Sequence, residues 1–273
     1  MKRALLLIAC LLYGCGETGD TGWTGYVEGE DAFIAAPQAG WLEQVSVKRG
    51  DIVKRGEILF ALDNTRQQAA RAQTVANIAE AEAQILQAEA DLTLAQKELT
   101  RQGGLLRAHA GTQQNYDLAQ SNAKQAAARL AQATALHQQY NAALADADYQ
   151  LSQRQVTAKT AGRVEDIYFR AGEYVPAMTP VVAVLPPQNI YVRFFVPETQ
   201  FAKVHMGDKV SITCDGCAKP LPARITFIAQ QEEFTPPVIF SAESRERLVF
   251  KLEARADGGL KLNPGQPVTV RPQ

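Results

Sequence analysis

Proline is absent from Asp63 to Val175, so nothing in that stretch obliges a helix to kink or stop. Aromatic residues make up only 7% of the 273-residue chain, while Ala and Gln crowd its middle. Such a composition signals long extended helix rather than a thick core. The formal net charge is -1, which gives no electrostatic reason to expect nucleic acid as a partner. The three histidines, His109, His137 and His205, are scattered, and no Met-rich segment suggests copper transport. Nothing reads as a catalytic triad, a paired-carboxylate site or a phosphate loop, so the chain is not expected to be an enzyme. Beyond the first residues no apolar run is long enough to span a bilayer.

The one early apolar run is short. Lys2 and Arg3 precede Ala4 through Tyr13, the charge-then-hydrophobe order of an export signal. The run ends in Leu12-Tyr13-Gly14-Cys15, which resembles the lipobox of bacterial lipoproteins, where the cysteine is diacylated and becomes the new N-terminus. Residues 1–14 are thus expected to be a signal peptide and Cys15 the lipid attachment point. Leu7-Ile8-Ala9-Cys10 also fits but leaves an unusually short apolar stretch, and an uncleaved membrane helix would need a longer run. Acyl chains hold a protein to a membrane surface through about 0.8 kcal/mol per buried methylene. Residues 15–25, rich in Gly, Thr and acidic side chains, read as a flexible tether.

From Ala36 to Leu62 short alternating strands are separated by turns at Gly50-Asp51 and Arg55-Gly56, the pattern of a β-meander. The pattern recurs 122 residues later: Ala36, Ala39, Gly40, Gly50 and Val53 match Ala158, Ala161, Gly162, Gly172 and Val175. Neither half has enough apolar surface to fold alone, so the two are expected to pack as one small sandwich, residues 36–63 with 157–185.

Between the halves, residues 64–156 read as a helical hairpin. Asp63-Asn64-Thr65 supplies N-capping side chains. Ile78, Ile85, Leu92, Leu99 and Leu106 recur every seven residues, with Ala81, Ala88 and Ala95 three further on. A second seam runs Tyr116, Ala123, Leu130, His137, Leu144 and Leu151, with Ala119, Ala126, Ala133, Tyr140 and Ala147. These are heptad seams of an antiparallel coiled coil, each helix about 45 residues and roughly 65 Å long. The turn is expected at Gly111-Thr112, Gly ending one helix and Thr capping the next. Gly103-Gly104 should loosen the turns beneath it.

Later segments are strand-like again. Ile190 to Val196, Val210 to Thr213 and Ala223 to Ile228 suggest a small antiparallel β-barrel, residues 186–233. Leu248 to Ala254 and Val268 to Arg271 follow. Residues 26–35 and 234–273 are expected to pair into a further, membrane-proximal β-domain. The fold class is mixed α and β, elongated and multidomain.

These pieces, in this order, resemble the HlyD-type periplasmic adaptors, or membrane fusion proteins. Gly40 and Gly50-Asp51-Ile52-Val53-Lys54-Arg55-Gly56 look like the first lipoyl half-motif; Ala161-Gly162-Arg163-Val164 and Gly172-Glu173 look like the second. Phe234-Thr235-Pro236-Pro237 and Glu246-Arg247-Leu248-Val249-Phe250 look like adaptors serving ABC-type exporters. The resemblance implies a periplasmic protein of a Gram-negative bacterium, lipid-anchored to a membrane, the inner one. It implies a homo-hexameric ring linking an inner-membrane ABC permease and ATPase to a TolC-like outer-membrane channel. Adaptors that dock on such channels share an Arg, a Leu four residues on and a Ser eleven residues after the Arg. Arg101, Leu105 and Thr112 stand at those spacings, with Thr in place of Ser. Other readings are an RND-type partner, or a structural coiled-coil envelope lipoprotein with no transport role.

A lipoyl-like fold raises the question of a prosthetic group. The place where carrier domains present a modified Lys is taken by the helical insertion, and no Asp-Lys-Ala tip is present. No cofactor is expected. Cys214-Asp215-Gly216-Cys217 has no second cysteine pair for zinc and no βαβ context. Asp215-Gly216 reads as a two-residue hairpin turn, setting the cysteines within disulfide range in an oxidising periplasm.

Overall fold

The structure, a computed structural model, describes residues 22–217, 219–234 and 248–273. The expected signal peptide, Cys15, most of the tether and the Thr235-Pro236-Pro237 boundary lie outside the described residues. The chain enters strand β1 (Trp23–Gly29), then β2 (Ala32–Ala35), β3 (Gly40–Val45), β4 (Ile52–Val53) and β5 (Ile58–Leu62). Helices α1 (Thr65–Arg107) and α2 (Gln113–Ser152) follow. After them come β6 (Gln155–Thr157), β7 (Gly162–Ile167), β8 (Tyr174–Val175) and β9 (Pro180–Leu185). The chain ends with β10 (Ile190–Pro197), β11 (Lys209–Thr213), β12 (Leu221–Phe234), β13 (Leu248–Arg255) and β14 (Pro267–Pro272). Two compact units result, one from Phe33 to Val184 and one from the residues on either side.

In the first unit two four-stranded sheets, β2-β9-β7-β4 and β6-β5-β3-β8, enclose Ile34, Leu42, Val53, Leu59, Phe60, Leu62, Val164, Val175 and Val181. Each sheet mixes the halves: Gly40 of β3 pairs with Val175 of β8, and Ile52 of β4 with Arg163 of β7. The repeat is visible bond by bond. Gly50 N–H donates to the Val164 carbonyl at 2.8 Å, and Gly172 N–H to the Leu42 carbonyl at 2.7 Å. Likewise Gly56 N–H donates to Ala158 and Met178 N–H to Ala36, both at 2.8 Å. One member breaks the rule. Gly56 has φ +87°, and its counterpart Met178 holds φ +60°, a conformation that costs a side-chain-bearing residue energy.

The insertion leaves from β5 and returns on β6, strands that are themselves paired, Phe60 opposite Val156. Asp63 stands one residue before the N-cap Asn64 of α1, and its Oδ1 accepts from Thr65 N–H at 3.0 Å and from the Thr65 hydroxyl at 2.7 Å. These hydrogen bonds hold the Asp63 carboxyl below its ordinary pKa. The helices have 43 and 40 residues and touch along the heptad seam. Ala81 and Ala88 of α1 are buried, as are Ala119, Ala123, Ala126 and Ala133 of α2, while Ile78, Ile85, Leu92, Leu130 and Leu144 are half-buried. Alanine lets the helices approach closely, but each methyl-sized group contributes only about 0.8 kcal/mol, so stability accrues through length. Arg71 pairs with Asp148 across the helices, and His137 Nε2 lies 3.6 Å from Glu82.

The second unit is one closed barrel in the order β1-β10-β13-β12-β11-β14. Val27, Val192, Phe194, Ile212, Ile225, Leu252 and Val270 fill it, with Trp23 stacked on Phe194 at 5.6 Å. The early segment expected to pair with the C-terminal strands does so, Trp23 opposite Val270 and Tyr26 opposite Pro267. Among the described residues the strands expected in a membrane-proximal β-domain take part in this barrel, β1 joining β10 to β14 and β13 lying between β10 and β12. The physical reason is edges. Strands from residues 186–233 alone would leave two unpaired edges, and closure removes both. Residues 32–35 also leave that group, as β2 joins the sandwich. On the outer face Arg193 bridges Glu28 (2.6 Å) and Glu253 (2.9 Å), and the Tyr191 hydroxyl donates to Glu28 at 2.6 Å. Burial, then that hydrogen bond, push the Tyr191 phenol above its ordinary pKa.

Candidate docking site at the hairpin tip

The last turns of α1 and the turn into α2 carry the residues that the sequence singles out. Arg101 and Leu105 are four apart and share one helix face. The Arg101 side chain is 68% exposed and Leu105 is 38% exposed. The Arg101 guanidinium is ion-paired with Glu98 one turn below, and Glu98 also accepts from Gln102 at 2.8 Å. Those hydrogen bonds, from Arg101 first, lower the Glu98 pKa, and the same pairing raises that of Arg101. Arg101 is a cation held against Glu98 and presented from a helix rather than a loop.

The turn differs from the sequence expectation in one respect. The left-handed residue that ends α1 is His109, φ +58°, and Gly111 serves a different need. A Cβ on Gly111 would stand 3.1 Å from Leu105 Cβ and 3.3 Å from the Leu105 carbonyl carbon. The missing side chain lets the turn lie against Leu105. Thr112 caps α2, its Oγ1 accepting from Asn115 N–H at 3.3 Å. The hydroxyl proton is left to donate elsewhere. Helix α1 continues through Gly103 and Gly104, with the Tyr116 ring 3.4 Å from where a Gly103 Cβ would be.

Sequence reasoning missed a neighbouring feature. Asp91, Leu94, Glu98, Arg101 and Leu105, spaced by threes and fours, form one ridge that climbs α1 to the tip. Beside it a hollow of about 480 Å³ is bordered by Ala95, Ala119 and Ala126 with Asn122, Gln125 and Arg129. Leu94 is 70% exposed and Leu118 is 61% exposed. Both fall outside the seam, and an apolar residue at a solvent position of a heptad was the available signal.

The other sequence-predicted positions lie elsewhere. Cys214 and Cys217 are joined as a disulfide, their Cα atoms 5.2 Å apart. They do not face each other across a two-residue hairpin, because β11 and β12 pair only up to Ile212 and Leu221. The turn sits inside a longer connection. Cys217 N–H donates to the Cys214 carbonyl at 3.1 Å, and Gly216 alone takes positive φ, which defines a type II turn. A hollow of about 760 Å³ adjoins it, lined by Leu221, Ala256, Leu260 and Leu262. Among the described residues no cluster of His, Cys, Asp and Glu could hold a metal, and no helix is long and apolar enough to cross a membrane.

Comparison with known proteins places this architecture in a class. No family model matches the chain. A UPF0194 membrane protein of Acidithiobacillus ferridurans is 31% identical over 131 residues, 47% of this chain and 39% of the relative. The uncharacterized protein YdhJ of Escherichia coli is 27% identical over 210 residues, covering 76% of this chain and 68% of the relative. The match thus spans well under half the length of the UPF0194 relative. Among solved structures, MacA from Actinobacillus actinomycetemcomitans superposes with a TM-score of 0.71 at 19% identity, covering 92% of this chain and 77% of that one. A membrane fusion protein from Streptococcus pneumoniae gives a TM-score of 0.52 at 17% identity, covering 92% and 97%. The chain has the fold of the membrane fusion proteins.

Proposed function

We propose that the chain is a non-enzymatic periplasmic adaptor of the HlyD type. It links an inner-membrane exporter, of the ABC type, to a TolC-like outer-membrane channel. The observation that carries this reading is the tip. Arg101 and Leu105 are exposed in the last turns of α1 and Thr112 caps α2 at the end of a two-helix rod, which is itself inserted in a split sandwich. An arginine with an apolar neighbour and a hydroxyl suits the end of another helical assembly, Arg and Thr making polar contacts and Leu the apolar anchor. The ABC assignment rests on the resemblance of residues 234–237 and 246–250. A homo-hexameric ring and lipid attachment at Cys15 complete the proposal, and the Cys214–Cys217 bridge belongs to it as a staple for an oxidising compartment. No cofactor takes part.

The test is Arg101→Asp. Because Arg101 is exposed and off the seam, the variant should fold with native helicity yet lose export. Transport at the wild-type level by Arg101→Asp would refute the docking role. Neighbouring genes separate the partner classes, since an ATPase and permeases mark the ABC type.

A further inference from the structure

The root of the hairpin is more tightly tied than a flexible joint requires. On the α1 side, Asp63 N–H donates to the Trp41 carbonyl at 2.9 Å. On the α2 side, Arg154 follows the last helical turn, and its Nη1 donates to the Ala39 carbonyl at 2.9 Å. The Arg154 carbonyl in turn accepts from Leu62 N–H at 2.8 Å, and the side-chain amides of Gln38 and Gln150 are hydrogen-bonded to each other. The guanidinium fits only because residue 40 is glycine: a Cβ there would stand 2.7 Å from Nη1.

We infer that Arg154 is a positioning residue, a clasp on the Ala39–Gly40 backbone that fixes the direction in which the hairpin leaves the sandwich. Leverage makes that direction matter. A helix of 43 residues is about 65 Å long, so a rotation of about 5° at its root moves the tip by about 6 Å, roughly one helical turn. Docking through Arg101, Leu105 and Thr112 tolerates no such error, and the inference rests on that reading. Arg154 Nε is buried and makes no hydrogen bond within the chain.

Two substitutions break the clasp from opposite sides. Arg154→Gln removes the guanidinium; Gly40→Ala keeps it and displaces it from the Ala39 carbonyl. Nitroxides on non-natural side chains at Gln114, beside the tip, and at Lys54 or Glu165 on the sandwich report the direction of the rod in the isolated full chain. Both variants should at least double the width of the tip-to-sandwich distance distribution, with helicity unchanged, and lower export severalfold. Native widths in folded Arg154→Gln and Gly40→Ala would overturn the clasp. Broadened widths with wild-type export would overturn its positioning role. Neither result depends on Arg101→Asp, so a failed docking proposal is recognised separately.

Discussion

Met178 allows the two halves of the sandwich to serve as each other's control. It occupies the place that Gly56 holds in the other half, makes the equivalent 2.8 Å backbone bond and carries φ +60°. Left-handed backbone costs a residue with a Cβ about 1–2 kcal/mol. Its side chain recovers little, since Met178 is 77% exposed. Met178→Gly relieves that strain but makes the unfolded chain more flexible, which costs about 0.4–1 kcal/mol. The net expectation is stabilisation by about 0.5–1 kcal/mol. The mirror change, Gly56→Met, imports the strain at φ +87° and should destabilise by a similar amount. For a chain of this size 1 kcal/mol moves the melting midpoint by about 2–4 °C. Trp41 lies in the sandwich and Trp23 in the barrel, so Trp41 fluorescence in a Trp23→Phe background follows the relevant unit. If Gly56→Met proved as stable as Met178→Gly, the backbone argument would be wrong.

Other expectations follow from single contacts. Thr112→Val keeps the shape of the side chain and loses the cap, so the first turn of α2 should fray at a cost of about 1 kcal/mol. Thr112→Ser should not fray, and amide exchange at Asn115 distinguishes the two. The Cys214–Cys217 loop is short, so reduction should lower stability by only about 2 kcal/mol in the chain-entropy model. Alkylation of the native protein without reductant checks the bridge directly: modification of Cys214 and Cys217 would show that it is not formed.

What the sequence made legible were the features carried by local period. The seam needed only residues seven apart, and the buried alanines Ala81, Ala88, Ala119, Ala123, Ala126 and Ala133 all lie on it. The repeat was legible because Gly50 and Gly172 mark equivalent turns. Barrel closure was not, because the pairing of Gly25 with Phe194 joins residues far apart in the chain, and a strand pattern does not name its partner. The tip was half legible. The period located the turn and Thr112 announced a cap, but whether His109 or Gly111 takes the left-handed backbone is settled by how closely Leu105 approaches. Arg154 had no sequence signal, since its meaning depends on the Ala39 carbonyl and on the space above Gly40.

The rod begins and ends on neighbouring strands, β5 and β6, and this has an evolutionary consequence. Seven residues added to each helix keep every seam position in phase and advance the tip by about 10 Å. The same number removed draws it back, and neither change reaches the sandwich. Such a hairpin is a rod whose length can change in whole heptads while its base and its end stay as they are.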